Sequence, residues 1–402
     1  MFASFGEGNK EMRSIITPII ALSSGWVMIY ADRLSISPVL NLIRQQFGLS
    51  FASVSVVVSI YFLAYVGFTI PATIAAERWG YRRIMFYFFL LAALSLLAAG
   101  ALGYSYLLLV LFMGLHGAGA GAYYPTAYRI SSVLPSQRRG LTASLINSGM
   151  GFGTIAGLLL AGPVLKLFDS WQMMLILLSV PTLIVAYALK RATEEPPHPE
   201  GKSAEMRSIY IKLLKNRSFA MLCAAMFCSL YGYWVILTWG PTYLQESRGL
   251  GILYSGAATA IFSAVAIPSS IAISHVSDKV GRKAIAMTIL PLASIAIFLM
   301  AIGSNLVTVI LAIAAYGVVG KLTLDPLVIA WVGEFIGQEQ IGSALSLLNV
   351  AAMSSSILAP LITGVLADYT GGLAGGFYFG AVIVLFGFVF VAVAREKRSD
   401  RF

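Results

Sequence analysis

The chain has 402 residues, 58% of them hydrophobic and only 11% charged, with a formal net charge of +10. A soluble protein needs about a quarter of its residues charged, so this composition suits lipid rather than water as its main solvent. The positive excess does not indicate a nucleic-acid partner, because the basic residues alternate with long apolar runs instead of gathering into one patch.

In chain order, apolar runs of roughly 20 residues, enough to cross a ~30 Å hydrocarbon core, fall at 14–40, 51–76, 84–103, 105–130, 140–165, 171–190, 218–244, 252–276, 284–303, 306–335, 342–367 and 375–394. Lipid leaves no partner for unpaired backbone groups, so each run is predicted to be a helix. The first run leads into charged residues with no small-residue cleavage site, and reads as a retained helix. Residues 190–217 carry Glu194, Glu195, Pro196, Pro197, Pro199 and several Lys and Arg. They are expected to form a cytoplasmic linker ending in a short amphipathic helix near Ile209–Leu214. The predicted organisation is therefore a six-helix bundle over 1–189, a linker over 190–217 and a second six-helix bundle over 218–402.

Basic residues cluster in alternate loops: Arg78, Arg82 and Arg83; Arg138 and Arg139; Lys190 through Arg217; Lys279, Arg282 and Lys283; then Arg395, Lys397, Arg398 and Arg401. The intervening loops hold chiefly Arg44, Lys166 and Arg248. This asymmetry places both termini in the cytoplasm, with the chain a multi-pass protein of the cell (inner or plasma) membrane. Cys223 and Cys228 are five residues apart in one apolar run, hence on different helix faces, and support neither a disulfide nor a metal site. No phosphate-binding loop or catalytic constellation is legible, so the expectation is a protein without cofactor or metal that is not an enzyme.

The halves repeat. Glu77-Arg78-Trp79-Gly80-Tyr81-Arg82-Arg83 corresponds to Asp278-Lys279-Val280-Gly281-Arg282-Lys283, each after the second run of its half and 201 residues apart. Pro125 and Pro326 share that separation, and Gly140, Ser144, Leu145 and Asn147 match Gly342, Ser346, Leu347 and Asn349 at 202. Three matches at nearly one offset indicate a tandem duplication with parallel halves.

These residues resemble the major facilitator superfamily, whose halves are parallel repeats with a substrate site near the bilayer midplane. The family's loop motif, Gly-x-x-x-Asp-Arg-x-Gly-Arg-Arg, is matched twice, with Thr73 and Ser274 at the first glycine and Glu77 replacing one aspartate. The resemblance implies an all-α integral membrane fold of twelve transmembrane helices in two six-helix repeats. It also implies that Glu77, Arg78, Gly80, Arg82 and Arg83, with Asp278, Lys279, Gly281, Arg282 and Lys283, act as cytoplasmic gates. Within the superfamily the chain looks like the anion:cation symporter branch, which includes sugar-acid carriers. Asp32-Arg33, Tyr124-Pro125, Trp239-Gly240-Pro241-Thr242-Tyr243-Leu244, and Asn349 before Ala359-Pro360 carry that likeness. Many members keep a proton-coupling glutamate five residues before the helix-4 proline and an arginine one or two turns earlier; here those positions are Ala120 and Met113.

Ionisable groups inside a bilayer cost from ~2.5 kcal/mol upward and point to function. Arg33 offers a planar fork for a carboxylate and stays charged in a low dielectric. Lys321 and Asp325 are four apart and can pair on one helix face. Lys321 lies 201 residues after Ala120, so the second half holds a charge where the first has lost one. The expected substrate contacts are Arg33, Tyr30, Tyr124, Tyr231, Tyr233, Lys321, Asn147 and Asn349, the two cations turning toward one shared pocket. The expected proton sites are Asp32, His116 and Asp325. His116, one turn before Ala120, has an ordinary pKa near ~6.5, although a lone histidine among Gly and Ala also suits packing. The expected activity is secondary active transport of a small organic anion, a carboxylate or sugar acid, by alternating access with proton symport. Anion exchange and drug or metabolite export by proton antiport are the alternatives. The expected partners are the anion, protons and the lipid bilayer, with no nucleic acid and a monomeric chain.

Overall fold

The computed structural model describes residues 2–132, 134, 139–197, 209, 211–337 and 340–395, and the regular structure of these is helical throughout. Arg138, Lys397, Arg398 and Arg401 of the basic loops lie outside them. Among the described residues, twelve segments are long and apolar enough to cross a membrane: Ile16–Gln46, Phe51–Trp79, Tyr81–Leu102, Tyr106–Ser132, Leu145–Phe168, Trp171–Ala192, Arg217–Arg248, Ile252–Val280, Arg282–Ile302, Leu306–Phe335, Ile341–Thr370 and Ala374–Val393. We number the helices α1 (Phe2–Ser35), α2 (Leu40–Gln46), α3 (Phe51–Trp79), α4 (Tyr81–Leu102), α5 (Tyr106–Gly121), α6 (Tyr123–Ser132), α7 (Arg139–Phe168) and α8 (Trp171–Ala192). The second half supplies α9 (Arg217–Arg248), α10 (Ile252–Val280), α11 (Arg282–Ile302), α12 (Leu306–Val319), α13 (Lys321–Phe335), α14 (Ile341–Thr370) and α15 (Ala374–Val393).

The fourth and tenth runs are each broken rather than continuous. In the fourth, Gly117, Gly119 and Gly121 weaken the helix and Pro125 sits in the first turn of α6, where its missing N–H does no harm. In the tenth, Gly320 is extended (φ −81°, ψ −163°), so Lys321 starts a new helix. Of the predicted linker, Thr193–Pro197 is irregular and 211–215 is helical. The short helix expected near Ile209–Leu214 falls partly outside the described residues.

By contacts the chain forms two compact units, Met1–Val39 with Ile60–Pro199, and Leu40–Ser59 with Glu200–Phe402. In the first unit α1 runs parallel to α7 along a glycine seam. A Cβ on Gly149, Gly153 or Gly157 would lie 2.2, 2.3 or 2.7 Å from the carbonyl oxygens of Ser23, Val27 and Ala31 in turn. A second seam sets Gly117 and Gly121 of α5 against the Tyr61 and Tyr65 carbonyls of α3, at 2.1 and 2.5 Å by the same measure. Without a hydrophobic force between helices in lipid, such close backbone approach is how dispersion holds them together. In the second unit α9 packs against α14 and α15, α11 against α15, and α10 against α12.

The duplication is written into the backbone. Among the described residues, those with positive φ are Gly48, Gly80, Asp169, Gly249, Gly281 and Gly371. They fall into three pairs, Gly48 with Gly249, Gly80 with Gly281 and Asp169 with Gly371, separated by 201, 201 and 202 residues. A side-chain bond repeats as well: Arg82 donates to the Thr193 carbonyl at 3.4 Å, and Lys283 donates to the Ala394 carbonyl at 2.6 Å, both partners shifted by 201. Gly153→Ala should cost about 1–3 kcal/mol by forcing the α1–α7 seam apart. Gly342→Ala, with nothing near its Cβ position, should leave stability unchanged or slightly raised. Thermal denaturation of the purified proteins compares them, and equal melting of Gly153→Ala and the parent would exclude a tight seam.

Candidate functional site

The first unit buries an acid, a base and a set of aromatic rings together. Arg33 is only 4% exposed, so it is not a surface residue of the helix end. Its guanidinium carbon sits 3.5 Å from the Tyr30 ring centroid and 5.7 Å from that of Phe62, a cation–π arrangement that partly replaces lost water. The charge of Arg33 also acts on the Tyr61 and Tyr65 hydroxyls, one turn apart on α3. The α3–α5 seam fixes the backbone of these two tyrosines, and the α1–α7 seam fixes that of Tyr30, Asp32 and Arg33. Backbone contacts made by glycine thus aim the polar side chains.

Asp32, one residue away, points elsewhere. Its carboxyl oxygens lie 2.9 and 3.2 Å from Thr182 Oγ1 of α8, and the residue is 1% exposed. Thr182 Oγ1 is also 2.8 Å from the Leu178 carbonyl. His116 is buried, with Nδ1 2.9 Å from the Ala92 carbonyl and its ring 5.2 Å from Tyr61. A carbonyl only accepts, so Nδ1–H is the donor there. Tyr124 is half-buried and packs on Tyr128 at 4.6 Å and Trp26 at 6.1 Å. Asn147 accepts a hydrogen bond from the Tyr128 hydroxyl at 2.9 Å, at a small hollow lined by Ala127, Tyr128, Ser131 and Ile146.

In the second unit Lys321 Nζ and Asp325 Oδ2 are 2.5 Å apart, with side chains 12% and 22% exposed. Lys321 Nζ lies 5.3 Å from the Tyr233 ring, which packs on Trp234 and Phe262. Tyr231 is buried against Phe379, while Asn349 is half-buried on α14.

The two loop motifs are fastened differently. In the second, Arg282 pairs with Asp278 at 3.0 Å and with Glu334 at 2.6 Å, and Lys283 also caps α15 through the Ala392 carbonyl. In the first, the acid comes from beyond α8. Glu195 accepts the Tyr81 and Arg82 amides at 2.5 and 3.0 Å, capping α4, and Arg129 donates to the Pro197 carbonyl at 2.7 Å. A carboxylate on a helix N-terminus satisfies free donors and the positive end of the dipole. Glu77, Arg78, Arg83 and Lys279 hold no ion pair among the described residues. Sequence reasoning overlooked Tyr61, Tyr65, Thr182 and Glu195. The four-residue spacing of Tyr61 and Tyr65 was the available signal, hidden among aromatics that also serve as membrane anchors.

The sequence profile of the Major Facilitator Superfamily matches residues 22–321 and 254–401. The chain belongs to that superfamily. Superfamily membership makes it a multi-pass transporter and not an enzyme. It is 24% identical over 392 residues to the hexuronate transporter of Bacillus subtilis (strain 168), covering 92% of each chain. It is 25% identical over 391 residues to the probable galactarate/D-glucarate transporter GudP of the same organism, covering 87% of this chain and 85% of that one. Among solved structures, a bacterial homologue of the human lysosomal transporter Spinster superposes with a TM-score of 0.80 at 16% identity, over 94% of this chain and 96% of the other. Both of these Bacillus subtilis relatives are named for the transport of sugar acids.

Removing one member of the Lys321–Asp325 pair strands a half-buried charge. Lys321→Met or Asp325→Leu alone should each destabilise the transporter by about 1–3 kcal/mol, and the double variant by less than the sum. A double-mutant cycle on thermal stability reads this, and strict additivity would show that the pair contributes nothing.

Proposed function

We propose that this transporter carries a small organic anion, a sugar acid or related carboxylate, together with protons, and that Arg33 receives the carboxylate. The observation that carries the reading is the buried guanidinium of Arg33, stacked on Tyr30 with the Phe62 ring beyond it. Those rings solvate the cation on one face, and a planar fork binds a carboxylate through two charge-assisted hydrogen bonds. The tyrosine hydroxyls supply further donors. The names of the relatives agree, since hexuronate, galactarate and glucarate are all polyhydroxy carboxylates. Tyr124 and Asn147 of the same unit are supporting contacts to the sugar hydroxyls; Lys321, with Asp325 as its counter-ion, and Tyr231, Tyr233 and Asn349 are the candidate contacts that the second unit offers by itself.

Proton symport is supported by hydrogen counting at Asp32. Thr182 has one hydroxyl proton and two acceptors in reach, the Asp32 carboxyl and the Leu178 carbonyl. With Asp32 protonated, Asp32 donates to Thr182 and Thr182 donates to Leu178, and every contact is met. With Asp32 ionised, Thr182 turns to the carboxylate and leaves Leu178. The site therefore has a favourable arrangement for each protonation state, which suits a reversible proton carrier. His116 is held between the Ala92 carbonyl and Tyr61, and we give it the packing role. An inward-negative potential opposes anion entry by ~2.3 kcal/mol per charge per 100 mV, so co-moved protons make accumulation feasible. In this reading the protein sits in the inner or plasma membrane as a monomer with both termini cytoplasmic, and the loop motifs are gates on that side.

Uptake of radiolabelled D-glucuronate and D-glucarate into proteoliposomes under an imposed pH gradient tests the proposal. Arg33→Gln should lower kcat/KM about 100-fold, equivalent to ~3 kcal/mol for a lost charge-assisted pair. Parent-level uptake by Arg33→Gln, or equal transport of neutral glucose, would refute the anion reading. Unchanged uptake by Lys321→Ala would remove Lys321 from the site. Asp32→Asn should abolish accumulation driven by the pH gradient while sparing exchange of internal for external anion. Accumulation that persists in Asp32→Asn would rule out Asp32 as the coupling group.

A further inference from the structure

The outer side of the first unit carries a cluster that the proposed anion site does not use. There α4 and α8 run antiparallel in close contact: a Cβ on Gly100 would stand 2.6 Å from Ile176 Cγ1 and 2.8 Å from the Gln172 carbonyl oxygen. At the other end of the same contact, Lys190 Nζ lies 4.3 Å from the Phe86 ring. Beside it Arg83 lies over Tyr87, its guanidinium carbon 5.9 Å from the ring centroid, and Arg191 lies over Tyr187 at 5.0 Å. Arg83 and Phe86 are three residues apart, as are Tyr187 and Lys190, so cations and rings form one continuous patch across the two helices. All three cations are exposed, and none pairs with an acid among the described residues.

Two ordinary reasons for basic residues do not account for the patch. The helix dipole favours Lys190 and Arg191 in the last turn of α8 but disfavours Arg83 in the first turn of α4. A general bias toward basic loops acts on both halves, yet the residues 201 after Arg83, Lys190 and Arg191 are Ala284, Val391 and Ala392. Phe86 and Tyr87 are likewise matched by Met287 and Thr288. The helix pairing itself is repeated by α11 and α15. The frame is thus common to both halves, and the charged, ring-lined patch belongs to one.

Beyond the rings the same faces turn apolar. Ile184, Val180 and Leu177 follow Tyr187 at helical spacing, and Leu91 and Leu94 follow Tyr87, all of them exposed. From Tyr187 to Leu177 the stripe runs ~15 Å, half of a ~30 Å hydrocarbon core and so the depth of one leaflet.

We propose that this face of α4 and α8 is a seat for an anionic phospholipid of the bilayer, its headgroup held by Arg83, Lys190 and Arg191 and its acyl chains lying on the two stripes. Each ring solvates one side of its cation and leaves the other side to an anion. The headgroup brings the negative charge that these three side chains lack, at the depth where basic residues and anionic lipids attract each other.

The test uses the full chain purified in detergent and reads the rise in melting midpoint when a lipid is added. Dioleoylphosphatidylglycerol should raise it by about 3–6 °C, and dioleoylphosphatidylcholine by much less. Combining Arg83→Gln, Lys190→Gln and Arg191→Gln should remove most of the phosphatidylglycerol rise, whereas Lys190→Arg should keep it. Combining Lys212→Gln, Lys215→Gln and Arg217→Gln, also exposed, should leave it intact. The rise is read rather than the midpoint itself, so a variant that melts lower still answers. Lys190→Gln alone, a milder change, should retain several-fold less phosphatidylglycerol than the parent in native mass spectrometry. A full rise in the Arg83, Lys190 and Arg191 variant, or parent-level retention by Lys190→Gln, would overturn the seat. An equal loss in the Lys212, Lys215 and Arg217 variant would do the same, since net charge alone would then be at work. So would an equal rise with phosphatidylcholine or with inorganic phosphate.

Discussion

A guanidinium withdrawn from water must have its lost solvation replaced, and the first unit is arranged around that demand at Arg33. Ring faces, hydroxyls and the dipoles of neighbouring helices can meet it only from within a few ångströms. Helices of ordinary side chains do not approach so closely in a setting where no hydrophobic force squeezes them together. Glycines solve the problem from behind: Gly153 and Gly157 seat α1, and Gly117 and Gly121 seat α3. The side chains carried by those same turns, Tyr30, Tyr61 and Tyr65, are thereby set around the charge. Packing and the placement of the buried charge in this unit are one set of contacts seen from two sides.

Duplication supplied the framework and divergence supplied the chemistry. The positive-φ turns and the helix-end bonds of Arg82 and Lys283 survive in register across about 200 residues. The buried charges do not. The residues 201 after Asp32 and Arg33 are Tyr233 and Trp234, whereas Tyr30 keeps its aromatic partner in Tyr231. The second unit instead places its cation at a helix break, beside Gly320, where the first unit has Ala120 in an unbroken stretch of α5. Backbone geometry that any repeat needs was retained, while each charge, expensive wherever it stands, occurs in one copy only.

The number and order of the crossing segments, the repeat and the buried charges were legible in the amino-acid sequence, while the breaks in the fourth and tenth segments were not. The reason is that lipid imposes a simple rule on every residue: a crossing run must be apolar and helical, so length and charge alone mark its extent. Charged residues stand out against that background, which is how Asp32, Arg33, Lys321 and Asp325 were found. Tertiary structure decided the rest. Which way adjacent residues point depends on helix rotation, so only packing could send Asp32 to Thr182 and Arg33 to Tyr30. Glu195 lies more than a hundred residues from the amides it caps. No local pattern encodes such pairings, because backbone N–H groups are the same in every sequence until the fold brings a carboxylate to them.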